Sequence, residues 1–171
     1  VAVVGFYIYI ASTTKFNIND FENKLKKNKN ITYVSYEELP KDLINAVLSA
    51  EDSTFFEHKG IDFSKYLKSF YNNSNYMSLD MQLANIAVSD SGLNFKKIRL
   101  AYISRHKLQK EYSKNELLEL YLNYSNFGEE IYGIENASLK YFNKKTSELN
   151  LVESVVLAGL LQAPNIYSPY L

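Results

Sequence analysis

Apolar residues spaced three and four apart, opened by helix caps and separated by loop-forming residues, constrain this chain more than any other feature. Behind Pro40, which suits a helix N-terminus, Leu43, Ile44, Val47, Leu48 and Ala50 recur at helical spacing, predicting a helix from Pro40 to Glu51 with Gly60 as a stop. Phe63, Tyr66, Leu67 and Phe70 share a face of a second helix over 62–71, followed by an Asn72–Asn75 loop. A weaker helix is predicted over Leu79–Val88, broken by Ser89-Asp90-Ser91-Gly92, and a long basic one over Phe95–Tyr112. Ser113 with Glu116 forms a capping box that opens a helix over Lys114–Asn123. Further helices are expected over Tyr132–Phe142 and, behind Asn150 with Glu153, along Leu151, Val152, Val155, Val156, Gly159 and Leu160. Ile31–Tyr36 reads as a short strand. The expectation is one mainly α-helical domain.

At 171 residues the chain can bury one real core. Nineteen basic and nineteen acidic side chains cancel, which gives no case for nucleic acid as a partner, and the absence of cysteine excludes disulfides, thiol catalysis and zinc–thiolate sites. Residues 1–11 are uncharged and almost wholly apolar, yet shorter than the roughly 20 residues a bilayer span needs. They read as the outer end of a membrane anchor, a buried strand or a signal-peptide remnant. The break to Ser12-Thr13-Thr14-Lys15 favours the anchor end, with the chain starting inside a longer hydrophobic segment. Residues 12–30 then read as a linker with a short helix around Phe21–Lys27, and 31–171 as the domain.

The densest chemical candidate is Glu51-Asp52-Ser53-Thr54-Phe55-Phe56-Glu57-His58-Lys59-Gly60. A carboxylate at a helix C-terminus faces the negative end of the helix dipole, and burial beside aromatics raises its pKa further. Such a group can take a proton from a hydroxyl. On spacing alone, a solvated helix end with core aromatics explains the same residues.

The segment Leu39–Asp62, with Glu51-Asp52, Phe56, His58 and Gly60-Ile61-Asp62, resembles the first signature block of glycosyltransferase family 51, the glycan-polymerising domain of penicillin-binding proteins. Tyr112–Asn123, Phe127-Gly128, Gly133-Ile134, Ala137, Tyr141-Phe142, Leu149–Glu153, Leu157–Leu160, Gln162-Ala163-Pro164 and Tyr167-Ser168-Pro169 are similar to its late blocks. The matched blocks cover about half the chain. The resemblance implies a lysozyme-like, two-lobed helical fold with a membrane-proximal lobe. It also implies single-pass anchoring on the outer face of the cytoplasmic membrane. The partners it implies are lipid II, peptidoglycan glycan strands, the membrane and other cell-wall synthesis proteins. Glu51 takes the general base's place; Asp52, Phe56, His58, Gln82, Lys96, Lys97 and Arg99 take substrate-binding places. A divalent cation (Mg or Mn) is the expected cofactor, with no metal ligand assigned. No penicillin-binding transpeptidase region is present, as expected of a monofunctional protein or an excised domain.

Two blocks depart from the pattern. In Asn75–Ile86 only Gln82, Leu83 and Ala84 agree; Asn85 stands where the family has a lysine for the donor phosphates, and Asp80 brings a negative charge. The second catalytic glutamate falls on Leu100 when counted from Lys96-Lys97, and on Ala101 when counted back from Ser113. Neither can carry a proton. Lys96, Lys97, Arg99 and Arg105 keep positive charge on this helix, for phosphate or as a solvated face. The expectations are therefore a glycosyltransferase with impaired activity, or an inactive module that binds glycan, lipid II or a cell-wall protein. A glycan-cleaving enzyme is a weaker alternative, with only Glu57 and Asp80 available as a second acid.

Overall fold

The computed structural model describes residues 2–27, 30–88 and 95–163. Helices α1 (Ala2–Thr13), α2 (Ile18–Lys26), α3 (Lys41–Glu51), α4 (Phe63–Tyr71) and α5 (Leu79–Ala87) lead into α6 (Lys96–Ile103). A π-turn, Ser104–Leu108, carries α6 directly into the short α7 (Gln109–Glu111). Then come α8 (Lys114–Tyr124), α9 (Ile134–Phe142) and α10 (Leu151–Gln162), with 3₁₀ turns at Tyr36–Glu38 and Thr146–Glu148. No strand forms among the described residues beyond one isolated bridge, Asn126 with Tyr132. The fold is mainly α, as the lysozyme-like reading requires.

The caps behave as their residues dictate. Pro40 caps α3 with φ −60°, the Ser113–Glu116 box opens α8, and Asn150 with Glu153 opens α10. Leu43 and Val47 of α3 are fully buried and face α10, where Leu157 and Leu160 are buried in turn. At the other side α1 lies on α6, with Ile10 buried and the Phe6 ring 5.2 Å from Phe95. Helix α5 packs on α2, α6, the π-turn and α8.

Four expectations change. Ile31–Tyr36 is not a strand, because its backbone is satisfied by side chains. Val34 N–H donates to Asn123 Oδ1 at 2.9 Å, and Asn123 Nδ2 donates to Val34 O at 2.8 Å. Tyr36 N–H donates to Glu119 Oε2 at 2.6 Å. A buried carboxamide here does a neighbouring strand's work. Residues 12–30 are more than a linker: Phe21 and Leu25 of α2 lie in the core. The predicted helix over 95–112 forms but holds the π-turn at Ser104–Leu108. Gly60 is not a helix stop. Helix α3 ends at Glu51, and Gly60 sits in the loop beyond it at φ +87°, pressed on the backbone of Ser104 and Arg105.

The break at 89–92 and the Tyr167-Ser168-Pro169 match lie outside the described residues. No described helix is long and apolar enough to cross a membrane.

Candidate active site

Helix α3 delivers Glu51 to a cleft of about 500 Å³, whose walls also include Tyr76, Gln82 and Asn85 before and along α5, Tyr121 of α8 and Gln162 of α10. Its volume lies within the range of small-molecule sites. Gln82 Nε2 donates to Glu51 Oε2 at 2.7 Å, and Tyr121 OH donates to Gln82 Oε1 at 3.3 Å. Tyr121 thus fixes which end of the Gln82 carboxamide faces Glu51. Glu51 Oε1 is buried without a hydrogen-bond partner. Burial holds the Glu51 carboxyl above the usual carboxylate range; the Gln82 hydrogen bond opposes that shift and the neighbouring Asp52 charge adds to it. A half-buried, half-coordinated carboxylate of this kind suits proton abstraction from a hydroxyl.

A raised folded-state pKa has a fixed sign in stability. The contribution of Glu51 is fully present below the ordinary glutamate pKa and is lost as pH rises through the folded value. Glu51→Gln is therefore expected to melt higher than wild type at neutral pH, by about 2–4 °C for a change of about 1 kcal/mol. That gap should close below about pH 4, near the unperturbed glutamate value. Differential scanning fluorimetry across pH 3.5–8 checks this, and a variant less stable at pH 7 contradicts it.

Beside the cleft lies a buried charge cluster. Asp52 Oδ2 accepts from His58 Nε2 at 2.9 Å and from Leu79 N–H at 3.1 Å. Asp80, predicted to face phosphate, is instead fully buried, accepting from Gln109 Nε2 at 2.7 Å and Lys114 Nζ at 2.8 Å. Lys114 Nζ also lies 3.9 Å from the centre of the Phe55 ring. Burial raises the Asp80 pKa against the pull of Lys114, and burial lowers the Lys114 pKa against the pull of Asp80. The cluster ties the loop after α3 to the N-termini of α5 and α8. It thereby fixes the two helices that carry Gln82 and Tyr121.

Asp52, His58 and Asp80 bring ligand atoms within 4.8 Å of one another, and His58 Nδ1 is buried without a hydrogen-bond partner, so these three are the residues that would hold a divalent cation, beside the Lys114 ammonium that already pairs with Asp80. In the cleft, Glu51 is the sole carboxylate among the described lining residues.

Of the residues singled out from sequence, Glu51 and Gln82 meet in the cleft, while Asp52 and His58 lie behind it. Phe56 is half exposed and packs edge-on to Phe55. Lys96 is exposed, Lys97 Nζ donates to Ser69 Oγ at 2.7 Å near the Tyr66 and Phe70 rings, and buried Arg99 reaches Thr14 Oγ1 at 3.0 Å. None of these three lines the cleft. Leu100 and Ala101 are both buried, and Glu57 is exposed outside it. Sequence reasoning missed Tyr121, Gln109 and Lys114. Tyr121 and Lys114 sit inside the matched Tyr112–Asn123 block, which was the available signal; Gln109 had none.

Comparison with known proteins agrees with this architecture. The family model described as Transglycosylase matches residues 18–171. The chain is 38% identical to penicillin-binding protein 1A of Clostridium tetani over 80% of its length, and 37% identical to penicillin-binding protein 1F of Bacillus subtilis over 81%. It is 30% identical to penicillin-binding protein 2a of Streptococcus pneumoniae over 98% of its length. It spans 19%, 20% and 25% of those three proteins respectively. A helical fold carrying Glu51 at the head of its cleft, matched over nearly its whole length, places this chain in the transglycosylase family, glycosyltransferase family 51.

Proposed function

We infer that this domain engages lipid II or nascent peptidoglycan strands, with Glu51 as general base and with impaired polymerising activity. The observation that carries the reading is the buried Glu51 carboxylate, raised in pKa, with Oε2 held by Gln82 and Oε1 left without a partner. In the reaction, Glu51 takes the proton of the acceptor hydroxyl. The freed oxygen bonds to the donor's anomeric carbon from the face opposite the lipid diphosphate, and the bond from that carbon to the diphosphate oxygen breaks. The diphosphate departs with the bonding electrons, so it needs positive charge close by. Neither Lys97 nor Arg99 lines the cleft, which is why turnover should be poor.

A membrane partner suits another set of residues. Phe6, Phe63, Phe70, Tyr71 and Phe95 are exposed on and around α1 and α4, and such an aromatic face fits the lipid interface. The reading as an inactive binding module draws on Leu100 and Ala101, buried apolar residues at the second acid's place.

The test is polymerisation of lipid II in vesicles, with pelleting of those vesicles to score membrane binding. Residual product should fall by about 100-fold or more in Glu51→Gln. Equal product from both proteins removes Glu51 as base. No product from folded wild type that still binds the lipid selects the inactive module.

A further inference from the structure

A cavity of about 410 Å³ lies between α1, α4 and α6, and it shares no lining residue with the Glu51 cleft. Its volume is in the range of small-molecule sites. Phe6, Ile10, Ile61, Phe63, Ile98 and Tyr102 give it apolar walls. No carboxylate lines it among the described residues, and its charged member is Arg105, which is exposed. Arg105 Nη1 donates to Lys59 O at 3.3 Å, a neutral carbonyl that leaves the guanidinium charge uncancelled. His106, also in the lining, is shared with an adjoining recess whose walls include Lys107, Lys110 and one acid, Glu111. After burial, the charges of Arg105, Lys110 and Lys107 are what hold the His106 pKa below its ordinary value, so all three reach this junction.

Inside the apolar cavity one polar group is left over. Tyr66 of α4 lines it and is 8% exposed, and the Tyr66 hydroxyl is buried without a hydrogen-bond partner. Burial pushes this phenol's pKa up to about 12, so it stays a neutral donor. A buried O–H is satisfied only by an acceptor, and an uncharged acceptor costs far less to desolvate than a charged one. The ester carbonyl at the head of an acyl chain is such an acceptor. A prenyl chain offers none before its charged diphosphate.

We propose that this cavity holds one acyl chain of an anionic diacyl phospholipid, with Tyr66 donating to the ester carbonyl and with Arg105, Lys107 and Lys110 attracting the headgroup. The inference rests on the membrane reading given above and is independent of Glu51. It turns a general affinity for the lipid interface into selection among phospholipids.

Co-sedimentation of the whole chain with vesicles at low salt tests it, using phosphatidylcholine alone and phosphatidylcholine mixed with phosphatidylglycerol. Wild type should bind the anionic vesicles at least about tenfold more tightly, and Lys107→Gln combined with Lys110→Gln should remove most of that gain, since each cation near an anionic surface is worth about fivefold. Native mass spectrometry in detergent should then show a single phosphatidylglycerol retained on the chain. The ester-linked lipid should be held about fivefold more tightly than its ether-linked analogue, the worth of one hydrogen bond. Tyr66→Phe should abolish that ester preference, and the wild-type comparison decides the matter even if this variant does not fold. Equal binding to both vesicles, no ester preference in wild type, or tighter retention of farnesyl diphosphate than of the phospholipid overturns the proposal and leaves the membrane reading standing. Binding to neither vesicle overturns both.

Discussion

Gly60→Ala is expected to lower the melting temperature by about 10 °C or more, or to leave no cooperative transition. Gly60 sits at φ +87°, where an L side chain is strained, and a Cβ there would lie 2.7 Å from Arg105 N and 2.8 Å from Arg105 Cα and Ser104 C. All three are backbone atoms, so no rotamer change relieves the clash. The loop is also pinned from both sides: Ser78 Oγ donates to Gly60 O at 2.6 Å, and Arg105 Nη1 donates to Lys59 O at 3.3 Å. Strain and displacement together place the cost at about 4 kcal/mol, in the range reserved for backbone and core disruption. For a domain of this size each kcal/mol is about 2–4 °C. Gly159→Ala is the matched control. It lies in α10 with nothing within 4 Å of the added carbon, so helix propensity should make it neutral or slightly stabilising. Equal melting of Gly60→Ala and wild type contradicts the packing described.

Lys114→Met is expected to destabilise by about 3–5 kcal/mol at neutral pH, since it leaves Asp80 ionised in the core without its cation. Methionine retains apolar contact with Phe55, so the loss reports the charge. Burial raises the Asp80 pKa, and without Lys114 it rises further, because that lysine is the largest of the groups that lower it, ahead of Gln109 and His58. A folded pKa above the unfolded value means stability is present below the ordinary aspartate pKa and is lost as pH rises through the folded one. The deficit of Lys114→Met should thus be small near pH 4 and grow toward neutrality. Adding Asp80→Leu should recover most of it, as removal of a whole buried pair is far less costly than removal of one partner. Urea unfolding of wild type and the two variants at several pH values is the measurement. A pH-independent deficit would argue that Lys114 acts only by packing.

Much of this fold could be read from the chain. Helices α3, α4, α8 and α10 follow from local rules, the apolar spacing behind Pro40, Ser113 and Asn150, which act within a few residues. What could not be read depends on distant partners. Asn123 holds the backbone of Val34, 89 residues away, and so a β-rich run became an extended segment without a sheet. Asp80 meets Gln109 and Lys114 across 29 and 34 residues, which turned an apparent phosphate-repelling charge into a structural ion pair. At the site, Glu51 was legible from its helix end and its neighbours, and Gln82 from its block. The basic residues of α6 were not: charge on a helix face is visible in sequence, but which way Lys97 and Arg99 turn depends on Ser69 and Thr14.

The π-turn at Ser104–Leu108 has a consequence for how this chain is aligned with its relatives. A π-turn is an α-helix that has absorbed one extra residue without breaking. Counting forward from Lys97 and backward from Ser113 gave Leu100 and Ala101 for the same position, a disagreement of one residue, and the π-turn lies between those two anchors. A single extra residue taken up by this turn would reconcile the two counts in favour of Leu100.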